Sequence, residues 1–359
     1  MDVRILQVLI AACAISACTA TSLAVARPTT LPTAAKDVSC AARDHISTIA
    51  FEISDEADAR ELTRWCRAVG GPVYVPSPTV ATPAPAIGDI TFISWNAHLA
   101  EGQLDALIAK LRAGELTNGK PVAHFVLLIQ ELYRRGDAVP EFDATDRSAF
   151  AIRARDPKSA DIDDHAAALG LSIFYAPSMR NGPELREDRG NAIISTEALA
   201  DPVALELPLA RQRRVTLGAA IHVQTADGIK RLELVDAHLE PLSSPKTLWV
   251  FKNPRAAQAR AILKLLDHPR YTDRTQTVGV VVGGDFNTVR SGADERAIHL
   301  LKDWSTGLAS EDLRDTHMMG RLDYLFFNMP KTWSASSRRL NERFGSDHYP
   351  VLGELTQTE

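Results

Sequence analysis

The stretch VVGGDFNTV, Val281 to Val289, leaves an apolar run through two glycines and then sets an acid and an amide two residues apart. Strand side chains alternate, so Asp285 and Asn287 share a face at that spacing. Similar endings recur along the chain. FISWN ends on Asn96, LLIQE on Gln130 and Glu131, and LVDAHL on Asp236 and His238. RLDYLFF opens on Asp323, and FGSDHYPV sets Asp347 and His348 just before another apolar stretch. One polar strand end is ordinary, whereas a series of Asn, Glu, Asp and His describes a site assembled from strand ends on a rigid scaffold. Carboxylate and carboxamide oxygens without thiols suit a hard cation, Mg²⁺ or Mn²⁺, better than zinc. Such a cation polarises phosphoryl oxygens, and two histidines can stabilise those oxygens or move protons near neutral pH. These residue types point to metal-assisted phosphoester hydrolysis. Gly283 and Gly284 are expected to clear space beside the reacting phosphate.

Those groups need strands to carry them. Strands are expected at ITFISWN, HFVLLIQ, LSIFYA, NAIIST, RVTLGAAIHV, RLELVDAHL, VGVVVGGD and LDYLFFN, and helices at GQLDALIAKLRAGE, NPRAAQARAILKLLD and DERAIHLLKDW. Several strands are apolar on both faces, which predicts sheets packed together and covered by helices.

The chain has 359 residues, 24% charged and 45% hydrophobic, the make-up of a soluble globular protein with one large domain or two ordinary ones. Its net charge of −5 gives no global pull toward nucleic acid or an anionic membrane. That excludes a histone-like binder but not a locally basic groove. ILQVLIAACAISA is an apolar run of 13 residues, short for a membrane span and typical of a signal sequence. ISAC follows, so residues 1–18 read as a signal peptide ending in a lipoprotein-like Cys18 that would anchor the chain to a membrane. Cleavage after Ala26, leaving a soluble exported protein, is the competing reading. Residues 19–36 read as a flexible tether, 37–74 as a small N-terminal appendage, 75–88 as a Pro-rich linker and 89–359 as the main domain. Export leaves Cys40 and Cys66 to pair as a disulfide, with two buried thiols as the alternative.

In chain order, Trp95-Asn96, Gln130-Glu131, His238, Gly284-Asp285-Phe286-Asn287, Arg321-Leu322-Asp323-Tyr324 and Ser346-Asp347-His348 resemble the endonuclease/exonuclease/phosphatase superfamily. That superfamily includes deoxyribonuclease I-like enzymes, apurinic endonucleases, inositol phosphatases and neutral sphingomyelinases. The resemblance runs over residues 89–355, supported by GNAIIS, RRV and Gln258. It implies an α+β fold, a four-layer α/β/β/α sandwich of two mainly antiparallel sheets with helices outside. It also implies Glu131 as principal metal ligand with Asn96 and Asp347 nearby, and Mg²⁺ or Mn²⁺ as cofactor. Asp285 would position or deprotonate the attacking water, Asn287 would hold that water and the phosphate, and His238 would bind a phosphate oxygen. His348 would be the second catalytic histidine, oriented by Asp323.

Two positions depart from the superfamily's pattern. His98 stands where apurinic endonucleases carry an acid, so no second metal ligand is expected there. Asp236 opens DAH where many members read Asn-Thr-His, and is read as a polar strand residue rather than a partner of the site. His124, His165, His222 and His317 fall outside the motifs and read as structural or solvated, and Trp95 as packing beneath the site.

Substrate choice in this superfamily comes from loops. Tyr175 to Asn191 reads as a loop carrying Arg180, Arg186 and Arg189, and ARQRRV adds Arg211, Arg213 and Arg214. Guanidinium forks suit bidentate phosphate contacts, so Arg180 and Arg189, with Asn191, are the substrate candidates. The alternative is exposed charge balanced by Glu184, Glu187 and Asp188. The expected activity is phosphodiester hydrolysis by activated water, with a nuclease, DNA being its candidate substrate, ahead of a small-molecule or phospholipid phosphatase or a sphingomyelinase-like esterase. A surface binding module without catalysis is the alternative from another class, and the complete set of polar strand ends argues against it.

Overall fold

Apolar residues that alternate between two buried faces build this molecule from paired sheets. The computed structural model describes residues 49–51, 56–77, 83–141, 160–182, 186–241, 253–289, 295–306 and 308–358. The first half holds β1 (Ile49–Phe51), α1 (Glu56–Ala68), β2 (Val73–Val75), β3 (Ile90–Asn96), α2 (Leu104–Ala113), β4 (His124–Arg135) and α3 (Ile162–Leu169). Then come β5 (Ser172–Arg180), β6 (Glu187–Ser195), β7 (Ala200–Glu206), β8 (Val215–Thr225), β9 (Gly228–His238), α4 (Pro254–Leu266) and α5 (Pro269–Thr272). The remainder is β10 (Thr277–Asp285), α6 (Arg296–Trp304), β11 (Leu308–Glu311), β12 (Asp323–Asn328), β13 (Trp333–Arg339) and β14 (Val351–Gln357).

One sheet runs β1-β7-β8-β9-β10-β12 and the other β11-β13-β14-β3-β4-β6-β5-β2. Phe92, Val126, Leu128 and Phe174 of the larger sheet pack against Leu217, Leu234, Val281, Leu325 and Phe327 of the smaller. Their sequence neighbours turn outward. Ile93, Phe125, Leu127 and Ile129 meet Leu104, Leu107, Ile108 and Leu111 of α2. Val235, Val280 and Val282 meet Ala259, Ile262 and Leu266 of α4 and Ile298 and Leu301 of α6. Both faces of each central strand are thus buried, which is why the strands read as unbroken apolar runs. The result is the α/β/β/α sandwich, its sheets mostly antiparallel.

Topology also positions the polar strand ends. The β3–β4 pair is parallel, with Asn96 opposite Gln130, and the β9–β10 pair is parallel, with His238 opposite Asp285. β12 enters antiparallel to β10 and begins with Asp323 opposite Asp285. The C-terminal ends of the central strands and the start of β12 therefore share one rim.

Three expectations change. β1 pairs with β7 and β2 with β5, so residues 49–75 supply edge strands to both sheets, where a separate appendage was expected. These strands have three residues each, too short to show a period. The expected loop at 175–191 is mostly strand, because β5 and β6 pair antiparallel from Ser172↔Ser195 out to Arg180↔Asp188. Gly283 and Gly284 make room for the protein itself. A Cβ on Gly283 would lie 2.6 Å from Leu128 of the facing sheet, and one on Gly284 would run into the Ala237 carbonyl of the adjacent strand.

Cys66 in α1 is disulfide-bonded, while Cys40, the signal, Cys18, Ala26 and the tether lie outside the described residues. Among those described, no helix is long and apolar enough to cross a membrane.

Between the sheets, Gln130 Nε2 donates to Asp236 Oδ1 at 2.6 Å. Asp236 thus joins the sheets as well as occupying a strand position. Burial pushes its carboxyl well above the usual range. An acid raised in the folded state lowers stability as pH climbs from its unfolded value, near 4, through the folded one. Asp236→Asn keeps an acceptor for Gln130 and removes that titration. The variant should match wild type in thermal melts near pH 4 and melt a few degrees higher at pH 8. Equal loss of stability at both pH values would show that the pair needs the acid.

Candidate active site

The residues at this rim are held in uncommon backbone conformations. Glu131 sits within β4 at φ 61, beside a register shift between Ile129 and Leu132. Such a bulge re-aims a side chain that simple alternation would place elsewhere. His98, Leu99 and Ala100 follow β3 at φ 47, 56 and 56. Left-handed backbone costs an L-residue about 1–2 kcal/mol. Here the turn's amides are used: His98 N donates to Asn96 Oδ1 at 2.9 Å and Leu99 N to Glu131 Oε2 at 3.1 Å. Asn287, at φ 51, donates its backbone N–H to Asp285 Oδ1 at 2.8 Å and Nδ2 to the Leu239 carbonyl at 3.0 Å.

Asp285 is the hub. Its Oδ2 accepts from Asn96 Nδ2 at 2.9 Å and lies 3.6 Å from His238 Nε2 and 3.9 Å from His348 Nε2. His348 Nδ1 pairs with Asp323 Oδ2 at 2.7 Å, and the Asp323 amide donates to Thr316 Oγ1 at 3.1 Å. Ser346 Oγ donates to the Asn96 carbonyl at 2.7 Å and accepts from His348 N at 3.0 Å. Trp95, fully buried, donates Nε1 to the His348 carbonyl at 3.1 Å, so its packing role includes fixing that loop.

The chain from residue 93 to 348 matches the model of the endonuclease/exonuclease/phosphatase family. It belongs to that family. No curated protein matches it. Similar solved structures include a mannosyl-6-phosphatase of Bacteroides thetaiotaomicron, 12% identical over 74% of this chain and 99% of that one, with a TM-score of 0.46. The human nocturnin catalytic domain with bound sulfate is 15% identical over 80% and 98%, with a TM-score of 0.45. Staphylococcus aureus beta toxin with bound magnesium ions is 13% identical over 74% and 98%, with a TM-score of 0.43. Members of the endonuclease/exonuclease/phosphatase family are hydrolases of phosphoester bonds, and so is this chain.

The electrostatics of this family member separate its two histidines. Burial opposes charge on His348, but Asp323, then Asp285 and Asp347, outweigh it and push the imidazole up to about 10. Burial, with Arg214, Arg189 and His348 adding to it, holds His238 well below its ordinary value. Burial, then Asp323, pushes Asp285 up to about 6. Near neutral pH the site therefore holds one imidazolium, one neutral imidazole and a carboxylate poised to take a proton.

The family works with a divalent metal, and the donors here fit one. Burial works against Glu131's charge, yet Arg189, Arg214 and the histidines keep it below the usual carboxylate range. Asp347 is lowered too, since His317 and His98 outweigh its burial. Two anionic oxygen donors are what a hard cation requires.

The arginines divide. Arg180 is buried and spends its guanidinium on the carbonyls of Gly182, Ala68 and Pro140 at 3.2, 3.3 and 2.5 Å, so it fastens the β5 end to α1 and is not a substrate group. Arg186 is tied to Asp137, and Arg213 is fully buried against Glu206. Arg189 does reach the site, 3.5 Å from Glu131, and Arg214 lies near enough to lower His238. Asn191 is buried and donates to the Val215 carbonyl at 2.9 Å, one residue beyond Arg214. Gln258 accepts from Glu240 N and donates to Pro208 O, pinning the segment after β9.

Two histidines were missed. His98 Nδ1 lies 3.0 Å from Asp347 Oδ1, and Asp347 raises its pKa. His317 Nε2 lies 3.3 Å from Asp347 Oδ2, with its ring 4.6 Å from that of His348. His98 had a positional signal, two residues after Asn96. His317 had none.

Proposed function

We propose that this chain is a divalent-metal-dependent phosphodiesterase that works by attack of activated water, with nucleic acid as its first candidate substrate. The reading rests on Asp285 standing within 3.9 Å of an imidazolium that Asp323 holds by its far nitrogen. The water loses its proton to Asp285 as it attacks phosphorus. Asn287 Nδ2 is committed to Leu239, leaving its Oδ1 to orient that water. His348 stabilises charge on the phosphoryl oxygens or protonates the departing alkoxide, and neutral His238 donates a hydrogen bond to a third oxygen. Glu131 and Asp347, with Asn96 beside them, would hold the metal, which supplies positive charge to the phosphoryl group. Asp323 keeps His348 oriented and favours its charged form before attack.

Supercoiled plasmid tests the reading. Nicking should require a divalent metal, stop with EDTA and be lost in His348→Ala. A second reading, phosphomonoester hydrolysis, draws on the partly exposed Arg189 and the buried Arg214 near Glu131, guanidiniums that would match a dianionic terminal phosphate. Intact plasmid, together with metal-dependent phosphate release from p-nitrophenyl phosphate, would select it. Inertness toward both substrates would overturn both readings.

A further inference from the structure

His317 belongs to no motif, yet both ends of its ring are committed. Its backbone closes a tight turn with Gly320, through His317 N to Gly320 O at 3.0 Å and Gly320 N to His317 O at 3.1 Å. Within that turn Met319 N donates to His317 Nδ1 at 3.1 Å. A ring nitrogen that accepts a backbone N–H carries no proton, so the imidazole proton sits on Nε2. Nε2 faces Asp347 Oδ2 at 3.3 Å, and the ring packs on His348 at 4.6 Å, tilted 36°. His317 is buried, so the arrangement is not a surface accident.

The turn therefore selects a tautomer, and the tautomer selects a role. With its proton on Nε2, His317 cannot ligate a cation through that atom, although it lies in a cluster with Asp347 and His348 whose ligating atoms fall within 4.8 Å of one another. It can only donate. We propose that His317 is a positioning residue for the metal-ligating carboxylate: it holds Asp347 Oδ2, while His98 Nδ1 lies 3.0 Å from Oδ1, so the carboxylate's orientation toward the cation is fixed. A donor that fixes a ligand typically governs metal affinity about 10- to 100-fold. The proposal rests on Asp347 being a metal ligand.

Two substitutions separate the donor from the ring. His317→Phe keeps an aromatic face against His348 and removes the N–H, whereas His317→Gln keeps an N–H at similar reach and removes the ring. Mn²⁺ binding to the full chain, read by electron paramagnetic resonance without substrate, should weaken at least about tenfold in His317→Phe and stay within about threefold of wild type in His317→Gln. Wild-type affinity in His317→Phe, or equal losses in the two variants, would overturn the positioning role. Asp347→Ala is the control for the premise. Mn²⁺ affinity unchanged there would overturn the proposal at its root, while leaving plasmid nicking by the wild-type enzyme untouched.

Discussion

Asp285→Ala should lower kcat by about 10³- to 10⁴-fold while leaving the fold intact. The change removes the proton acceptor and leaves Asn96 Nδ2, now 2.9 Å from Asp285 Oδ2, without its partner. The pH profile gives the sharper test. A base must be ionised to work, so kcat/KM should fall as pH drops through about 6, where burial and Asp323 have lifted Asp285. An imidazolium must keep its proton, so activity should fall again as pH rises through about 10, where Asp323, Asp285 and Asp347 hold His348 against its burial. Asp285→Asn retains the shape and discards the base. Its residual activity should lose the acidic limb and keep the alkaline one, and a surviving acidic limb would assign that titration to another group.

Arg213→Ala should destabilise the protein by about 3–5 kcal/mol, a large share of the 5–15 kcal/mol usual for a domain. The guanidinium is fully buried, donates to both Glu206 oxygens at 2.8–3.0 Å and reaches the Pro177 and Ser178 carbonyls at 2.8 and 3.3 Å. It thus fastens β7 of one sheet to β5 of the other. Its removal strands a buried carboxylate that is already difficult to ionise, since burial raises the Glu206 pKa despite the arginine. Urea unfolding would measure the loss. Replacing both partners, Arg213→Met with Glu206→Leu, should recover most of it, because the penalty lies in the unpaired charge. A double variant as weak as the single one would locate the loss in the carbonyl contacts instead.

The strand ends were legible because they combine two signals, an apolar run that demands a strand and a polar residue that the run cannot explain. Asn96, Glu131, His238, Asp285, Asn287, Asp323, Asp347 and His348 all come to one rim because the central strand pairs are parallel, which the expectation of mainly antiparallel sheets did not specify. The arginines were not legible. A guanidinium fork fits two carbonyls or a buried carboxylate as well as it fits a phosphate, and only burial distinguishes Arg180 and Arg213 from Arg189. The β5–β6 extension was hidden by Pro177 and a register shift beside it, which interrupt the alternation a strand normally shows. His317 was hidden differently, because its importance depends on a tautomer set by the amide of Met319.

The pairing of β14 with β3 has a consequence in time. Ser346 reaches back 250 positions to hold the Asn96 carbonyl, and His348 follows it into place. A chain emerging from the ribosome builds β3 and β4 early, but it lacks its imidazolium until those 250 further positions have been added. Until then it can neither bind a phosphoester productively nor cut one. The hydrolase is therefore inert during synthesis, and its site is completed only when β3 and β14, far apart in sequence and adjacent in the larger sheet, meet.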